Sequence, residues 1–250
     1  LMKAYRIVFT KPGVVELESI DIELPGPEQI LIQTEATLLS PGTEGANLAA
    51  LPNTPQKFPM GIGYSNVGIV LEVGANVKDF SPGDRVASHS PHASHALTRS
   101  NLAVAVPEGL SSEFASFSSL AAISMQAVRK THIELGESVL IVGQGLVGNL
   151  ALQIARLQGG YPVIGADLAQ ERLVRSLQVG ADYIIKVEGE NLPSETRLLT
   201  DGDGARVVIE ATGNPGPIIT AFQSASWCGR VVLLASTRGE TEKVNFYQDI

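Results

Sequence analysis

Cys228 is the only cysteine among 250 residues. One thiol cannot form a disulfide framework within the chain, nor the cysteine-rich ligand set of a structural zinc. Basic clusters are missing too. Lys and Arg number 18 against 26 Asp and Glu, a formal net charge of −8. A nucleic-acid binder needs a basic face to displace counterions from phosphates, so no such partner is expected, and the acidity reads as solubility. No apolar run approaches the roughly 18 residues of a membrane helix. The opening LMKAYRIVF lacks the apolar core and cleavage pattern of a signal peptide, and Leu1 reads as a remnant ahead of a natural start at Met2. The expectation is a cytoplasmic protein without a membrane partner. Charged residues are 18%, below the usual figure of about 25%. The 44% hydrophobic content is enough to bury one or two cores, and the length allows one large domain or two modest ones.

What is present divides near residue 110. Residues 2–107 read as β: KAYRIVF, VVELESI, EQILIQTEAT and SNVGIVLEVG are rich in Val, Ile and Thr, with Pro-Gly pairs between them as turns. No stretch here reads as a crossover helix, and a compact antiparallel barrel or sandwich fits. From residue 111 the pattern changes. SSEFASFSSLAAISMQAVRKTH has serines to cap it and basic residues in its last turn, which predicts one helix of about five turns. Strands SVLIVG, PVIGAD, DYIIKV, ARVVIEAT and RVVLLAST then alternate with helical segments. Continuous Val/Ile/Leu runs between helices indicate a parallel sheet covered on both faces. The fold class is therefore α/β, with a β-rich domain over 1–110 and a linking helix plus dinucleotide-type domain over 111–250. Five parallel strands are legible where a complete dinucleotide fold has six. The sequence reaches NFYQDI where a helix and a sixth strand are expected, so the domain reads as cut short.

The chemistry concentrates in Gly143-Gln-Gly145-Leu146-Val147-Gly148, placed between the SVLIV strand and a helical pattern. That context makes a G-x-G-x-x-G a dinucleotide fingerprint. Gly143 serves the tight turn, Gly145 the approach of the pyrophosphate, and Gly148 the close packing of helix on strand. The N–H groups that open the helix, at Leu146, Val147 and Gly148, then face the phosphates. Asp167 ends the next strand, where a carboxylate accepts the adenosine ribose hydroxyls and repels a 2′-phosphate. Arg172 follows five positions later, placed to lie over that ribose. The expected cofactor is NAD. Two other patterns dissolve on inspection. GYSNVG is not a nucleophile elbow, because its last Gly comes late and precedes a strand. DGDG lacks the acid that would close a calcium loop.

SPGTE (40–44), GYSNVGIVLEVGANVKDFSPGDRV (63–86), VPEGLS (106–111), GESVLIVGQGLVG (136–148), VGADYII (179–185), VVIEATG (207–213) and GRVVLLAS (229–236) together resemble the medium-chain dehydrogenase/reductase family. SPGTE and GYSNVG are similar to its sugar and cyclitol dehydrogenases and to its bacteriochlorophyllide a dehydrogenase branch. The resemblance implies a GroES-like catalytic domain, NAD(P)-dependent hydride transfer, homodimers or homotetramers, and a chain about a third longer. Thr212, in VVIEATG, joins the cofactor-binding candidates. The departures concern zinc. Members with a catalytic zinc carry Cys where Pro41 stands, His-Glu where Tyr64-Ser65 stand, and a Cys or acid near Ser119 or Leu120. The four-cysteine lobe after GDRV is absent as well. No metal is expected at either site.

Without zinc, a side chain or an ordered water must stabilise or protonate the alkoxide. Thr43 matches the family's proton-passing hydroxyl; the alternative is a turn residue after Pro-Gly. Glu44 matches the acid behind the metal and is left to fix the loop. Tyr64 can donate from its phenol or simply fill the vacated space. In HSPHASH (89–95) the histidines begin on a strand, where His89 and His95 share a face and His92 points away, so a three-histidine metal site is not expected. The family's chain skirts the substrate pocket here, which makes His89 or His92 a candidate to face the nicotinamide and move a proton, with exposed loop histidines as the alternative. The catalytic candidates taken forward are Thr43, Tyr64 and His92. The reading is an NAD-dependent, zinc-free oxidoreductase of a small secondary alcohol or ketone, polyol- or sugar-like. The alternatives are an enoyl or quinone reductase and a non-catalytic NAD(H)-binding sensor.

Overall fold

The computed structural model describes residues 2–237, 239–241 and 244. NFYQDI lies outside the described residues. The chain divides into two compact units, residues 1–119 and 120–250. The change of pattern at residue 110 thus precedes the division, and the first turns after it belong to the β-rich unit.

The first unit holds two antiparallel sheets. One consists of β1 (Met2–Lys11), β2 (Val14–Ile22) and the short β4 (Met60–Gly61), in the order β2-β1-β4. The other joins β3 (Gln29–Thr37), β5 (Asn66–Val73), β6 (Arg85–Ser88), β7 (His95–Arg99) and β8 (Ala103–Ala105), in the order β7-β3-β5-β6-β8. Ile30, Ile32, Val70, Val86 and Ala96 form a core on the inner face of this second sheet. Between β3 and β4 the chain makes a helix, α1 (Pro41–Leu48), in a stretch the sequence pattern leaves as turn. Pro41 starts it, because its ring pre-sets the helical φ and its missing N–H is not needed at that position. The expected five-turn helix is two: α2 (Ser112–Ala115) and α3 (Ser118–Thr131). The Ser116 carbonyl at the break accepts from the Ser65 hydroxyl at 2.5 Å, and the Ser116 hydroxyl bonds back to the Glu113 carbonyl. Serine hydroxyls compete with the backbone ladder in this way, a weakness that periodicity does not register.

The second unit is a five-stranded parallel sheet. Its strands are β9 (Val139–Val142), β10 (Val163–Asp167), β11 (Tyr183–Lys186), β12 (Ala205–Glu210) and β13 (Ala225–Leu233), in the order β11-β10-β9-β12-β13. The helices between them are α4 (Leu146–Leu157), α5 (Gln170–Gln178), α6 (Leu192–Leu198) and α7 (Pro217–Gln223). Each apolar run of the sequence supplies one strand. β13 starts earlier than RVVLLAST suggests: Ala225 pairs with Ala205, and a bulge through Cys228 precedes the pairing of Arg230 with Val207. β9 is buried on both faces. Val139 and Ile141 pack with α3 and α4, and Leu140 and Val142 pack with residues of α6 and α7. That two-sided burial is why the run is continuous rather than alternating. No helix among the described residues is long and apolar enough to cross a membrane.

Leu152 of α4 is fully buried, where the helix packs on β9 and β10. Leu152→Ala is expected to cost about 2–5 kcal/mol by denaturant unfolding, the usual range for a buried leucine truncated to alanine.

Candidate active site

The parallel sheet runs outward in one direction through β9, β10 and β11, then crosses to β12 on the other side of β9. Ligands of such sheets sit beyond the strand C-termini at this switch point. Here β9 runs into Gly143, whose φ of +91° suits glycine alone. A Cβ on Gly143 would stand 2.9 Å from Thr212 Cγ2, and one on Gly148 only 1.8 Å from the Gly143 carbonyl oxygen. Two of the glycines are therefore required by packing. Gly145 differs: nothing lies within 4 Å of the Cβ it lacks, so its face is open to a ligand. Gly145 is also the N-cap of α4, without a side-chain cap. Because Asn149 N–H makes the first bond back to the Gly145 carbonyl at 2.9 Å, the N–H groups of Leu146, Val147 and Gly148 precede the helix ladder. An open, glycine-walled helix N-terminus fits a pyrophosphate.

Asp167 closes β10 and is buried. Its Oδ2 accepts from Gln144 N–H at 2.7 Å and its Oδ1 from Ala169 N–H at 2.8 Å. Arg172 Nη1 lies 3.5 Å from Oδ2, on a side chain that is 56% exposed. The acid is therefore not a free acceptor, as the spacing alone suggests. Each carboxylate oxygen still has a second lone pair, so capacity for a ribose hydroxyl remains. Thr212 follows β12 and bonds inward. Its N–H and its hydroxyl both donate to Glu210 Oε1, and its oxygen accepts from Asn214 N–H at 3.1 Å. It forms the wall against Gly143 rather than offering a free hydroxyl.

Two buried polar residues here escaped the sequence reading. Gln144, the middle of G-Q-G, is buried, with its amide bonded to the Ile141 carbonyl and the Ser176 hydroxyl, each at 2.9 Å. Glu210 is fully buried, and its Oε2 has no partner among the described residues. Burial pushes its carboxyl above the ordinary 4.5, against the two bonds from Thr212. An acid ending an otherwise apolar strand, VVIE, was the available signal for Glu210. Gln144 had none, since that position of the motif tolerates many residues.

In the first unit, His92 corrects the sequence reading. β6 ends at Ser88 and β7 begins at His95, so residues 89–94 are a connection and not a strand, and the alternation of the three histidines does not apply. The connection is stitched in by backbone bonds: His92 N–H to Ile62 O, Ile7 N–H to His92 O, Ser94 N–H to Tyr5 O and Thr34 N–H to Ser94 O. His92 is buried, with Nε2 3.0 Å from Glu44 Oε2. Glu44 is buried too, and its other oxygen accepts Ser40 N–H at the start of α1. Gly63, at φ +99°, leaves room for the His92 ring, since a Cβ there would lie 2.6 Å from Cδ2. His92 is thus a wedge between α1 and the segment before β5. It is not an exposed loop residue.

His89, by contrast, is exposed, and its ring lies 5.4 Å from that of Tyr64, tilted by 31°. Tyr64 and Thr43 are half-buried, and among the described residues no partner holds either hydroxyl. Thr43 sits in the first turn of α1 rather than in a turn. His95 Nδ1 contacts the Ser94 hydroxyl. The three histidines therefore point to three different partners. Among the described residues no group of three or more His, Cys, Asp or Glu could hold a metal ion. Around the positions where related chains place zinc ligands, Ser119 donates to the Tyr64 carbonyl and Ser65 to Ser116, while Pro41 is exposed. These residues do not fit a zinc.

The native Glu210 holds its proton more tightly than an ordinary glutamate. Its contribution to stability is full below pH 4.5 and falls as pH rises through the native value. Glu210→Gln is therefore expected to raise the melting temperature at pH 7 and to change it little at pH 4; calorimetry across that range checks it.

Comparison with known proteins agrees with this geometry. Residues 26–140 match the alcohol dehydrogenase GroES-like domain, and residues 147–250 match the zinc-binding dehydrogenase domain. The chain is 28% identical to L-threonine 3-dehydrogenase of Pyrococcus horikoshii, covering 95% of this chain and 77% of that protein. It is 26% identical to sorbitol dehydrogenase of Bos taurus, over 91% of this chain and 74% of that protein. Its fold matches a crystal structure described as a zinc-binding dehydrogenase from Sinorhizobium meliloti 1021 bound to NADP. The TM-score is 0.88 and the identity 23%, over 99% of this chain and 81% of that one. The two matched domains together cover most of the chain, and the chain belongs to the medium-chain dehydrogenase/reductase family, among its alcohol dehydrogenase-like oxidoreductases.

Proposed function

We propose that the protein is an NAD(H)-dependent oxidoreductase that interconverts a small secondary alcohol, polyol- or sugar-like, and its ketone without catalytic zinc. The observation that carries the cofactor part is the open Gly145 face at the N-terminus of α4 with Asp167 behind it. Gly143, Gly145 and the N–H groups of Leu146, Val147 and Gly148 would hold the pyrophosphate, Asp167 and Arg172 the adenosine ribose, and Thr212 would wall the site. When bound, the nicotinamide supplies the hydride acceptor. The relatives named for threonine and sorbitol support an alcohol substrate, and carbon 3 of threonine bears a secondary hydroxyl.

The chain itself must then handle the proton. During oxidation the substrate hydroxyl loses its proton as the carbon loses hydride, and during reduction the proton returns to the carbonyl oxygen. The free phenol of Tyr64 is the candidate acceptor and donor, with the Thr43 hydroxyl as a second contact to the substrate oxygen. His92 holds Glu44 and takes no part in proton transfer. The zinc-free reading rests on the residues that stand at the ligand positions, which are poor or incapable ligands.

Tyr64→Phe is expected to lower kcat about a hundredfold, within the range of general acid–base contributions, with NADH binding unchanged. An unaltered kcat on an alcohol oxidised by the wild type would remove Tyr64 from the mechanism. Dialysis against a chelator is expected to leave activity intact, and stoichiometric metal found by elemental analysis would defeat the zinc-free reading.

A further inference from the structure

Gln144 stands in a ring of polar contacts, hydrogen bonds and one ion pair, that the phosphate turn does not need for its own sake. Its Nε2 donates to the Ile141 carbonyl on β9, and its Oε1 accepts from Ser176 on α5. That orientation of the amide satisfies both neighbours, because a carbonyl can only accept. Ser176 is fully buried and also approaches the Arg172 carbonyl one turn earlier, at 2.9 Å. Arg172 reaches Asp167, and Asp167 accepts from Gln144 N–H. The ring therefore runs from Gln144 through Ser176, Arg172 and Asp167 back to Gln144, and it ties β9, β10 and α5 together. β10 makes room for it with Gly165, where a Cβ would lie 3.2 Å from Gln144 Cδ and 3.3 Å from Ser176 Cβ.

A leucine or methionine would fill the same space without burying an amide. The amide instead fixes two things at once. Its side chain locks the Gly143–Gly145 turn, and the locked turn aims the Gln144 N–H at one oxygen of Asp167. With Ala169 N–H on the other oxygen, the carboxylate cannot rotate about its terminal torsion. We infer that Gln144 is a positioning residue that holds Asp167 in the orientation that discriminates NAD(H) from NADP(H). The inference rests on the reading of Asp167 as the ribose acceptor. A carboxylate free to turn away would accept ribose hydroxyls less well and repel a 2′-phosphate less strongly. Removing the amide should therefore narrow the preference, whereas a general loss of structure would weaken both cofactors alike.

The test is fluorescence titration of the full chain with NADH and with NADPH, together with melting temperatures. The variants are Asp167→Ala, Gln144→Met, which keeps the bulk and loses both side-chain bonds, and Ser176→Ala, which removes one bond and perturbs packing least. Gln144→Met is expected to weaken NADH binding about tenfold, the scale of one hydrogen bond to a charged group, and NADPH binding by less than about twofold. Ser176→Ala should shift the ratio the same way by about threefold, and it serves if Gln144→Met fails to fold. The inference is overturned if Asp167→Ala narrows the preference while Gln144→Met and Ser176→Ala leave the ratio unchanged or weaken both cofactors equally. If the wild type prefers NADPH, or Asp167→Ala leaves the ratio unmoved, the reading of Asp167 itself fails and the inference falls with it.

Discussion

Everything in the dinucleotide unit turns on how closely α4 approaches the end of β9. A single added carbon at Gly148 would lie 1.8 Å from the Gly143 carbonyl oxygen and 3.3 Å from the Ala211 side chain. That contact is with backbone, which cannot move aside as a flexible side chain can. The close approach sets the position of the helix start and with it the direction of the free N–H groups. It also brings Thr212 against Gly143, so that β9 and β12 share one floor at the switch point. Were the helix to sit farther out, the Gly145 face would lose its backing and the Gln144 N–H its aim at Asp167. The glycines are a steric condition first, and the phosphate site follows from it.

The two units handle buried charge in opposite ways. In the first, Glu44 is fully engaged: one oxygen holds His92 and the other holds Ser40 N–H. Both oxygens of that buried side chain have partners, as buried polar groups generally do. In the second, Glu210 has donors on one oxygen only among the described residues, and desolvation raises its pKa. A half-satisfied acid next to a ligand crevice costs stability, and it is a common mark of a functional region. Its bonds to Thr212 hold the wall that faces Gly143. The stability lost there maintains the shape of the site.

Much of the fold was legible because its signals are local. A continuous apolar run such as VLIV marks a strand buried on two faces, and Pro-Gly pairs mark turns. The failures were local competitions decided from a distance. SSEFASFSSLAAISM reads as one helix, and it breaks at Ser116, whose carbonyl accepts from Ser65, 51 residues away. SPGTE reads as a turn and becomes a helix start, because Glu44 reaches back to Ser40 and is itself anchored by His92. The histidines of HSPHASH read as a strand pattern, but four backbone bonds to other segments hold that stretch as a connection.

The sequence by itself determined the alternation of strands and helices in the second unit, the glycine turn between a strand and a helix, and the acid at the end of the following strand. Each is a matter of residue type and spacing within a short window, where sterics and periodicity act directly. Tertiary structure alone decided which polar groups meet. Gln144 and Ser176 are 32 residues apart, and Glu44 and His92 are 48 apart. A hydrogen bond needs its partners within about 3 Å, and no window of sequence carries that distance. Strand order and helix approach bring such groups together, and they also settled that His92 is held inside the fold while His89 stands beside Tyr64.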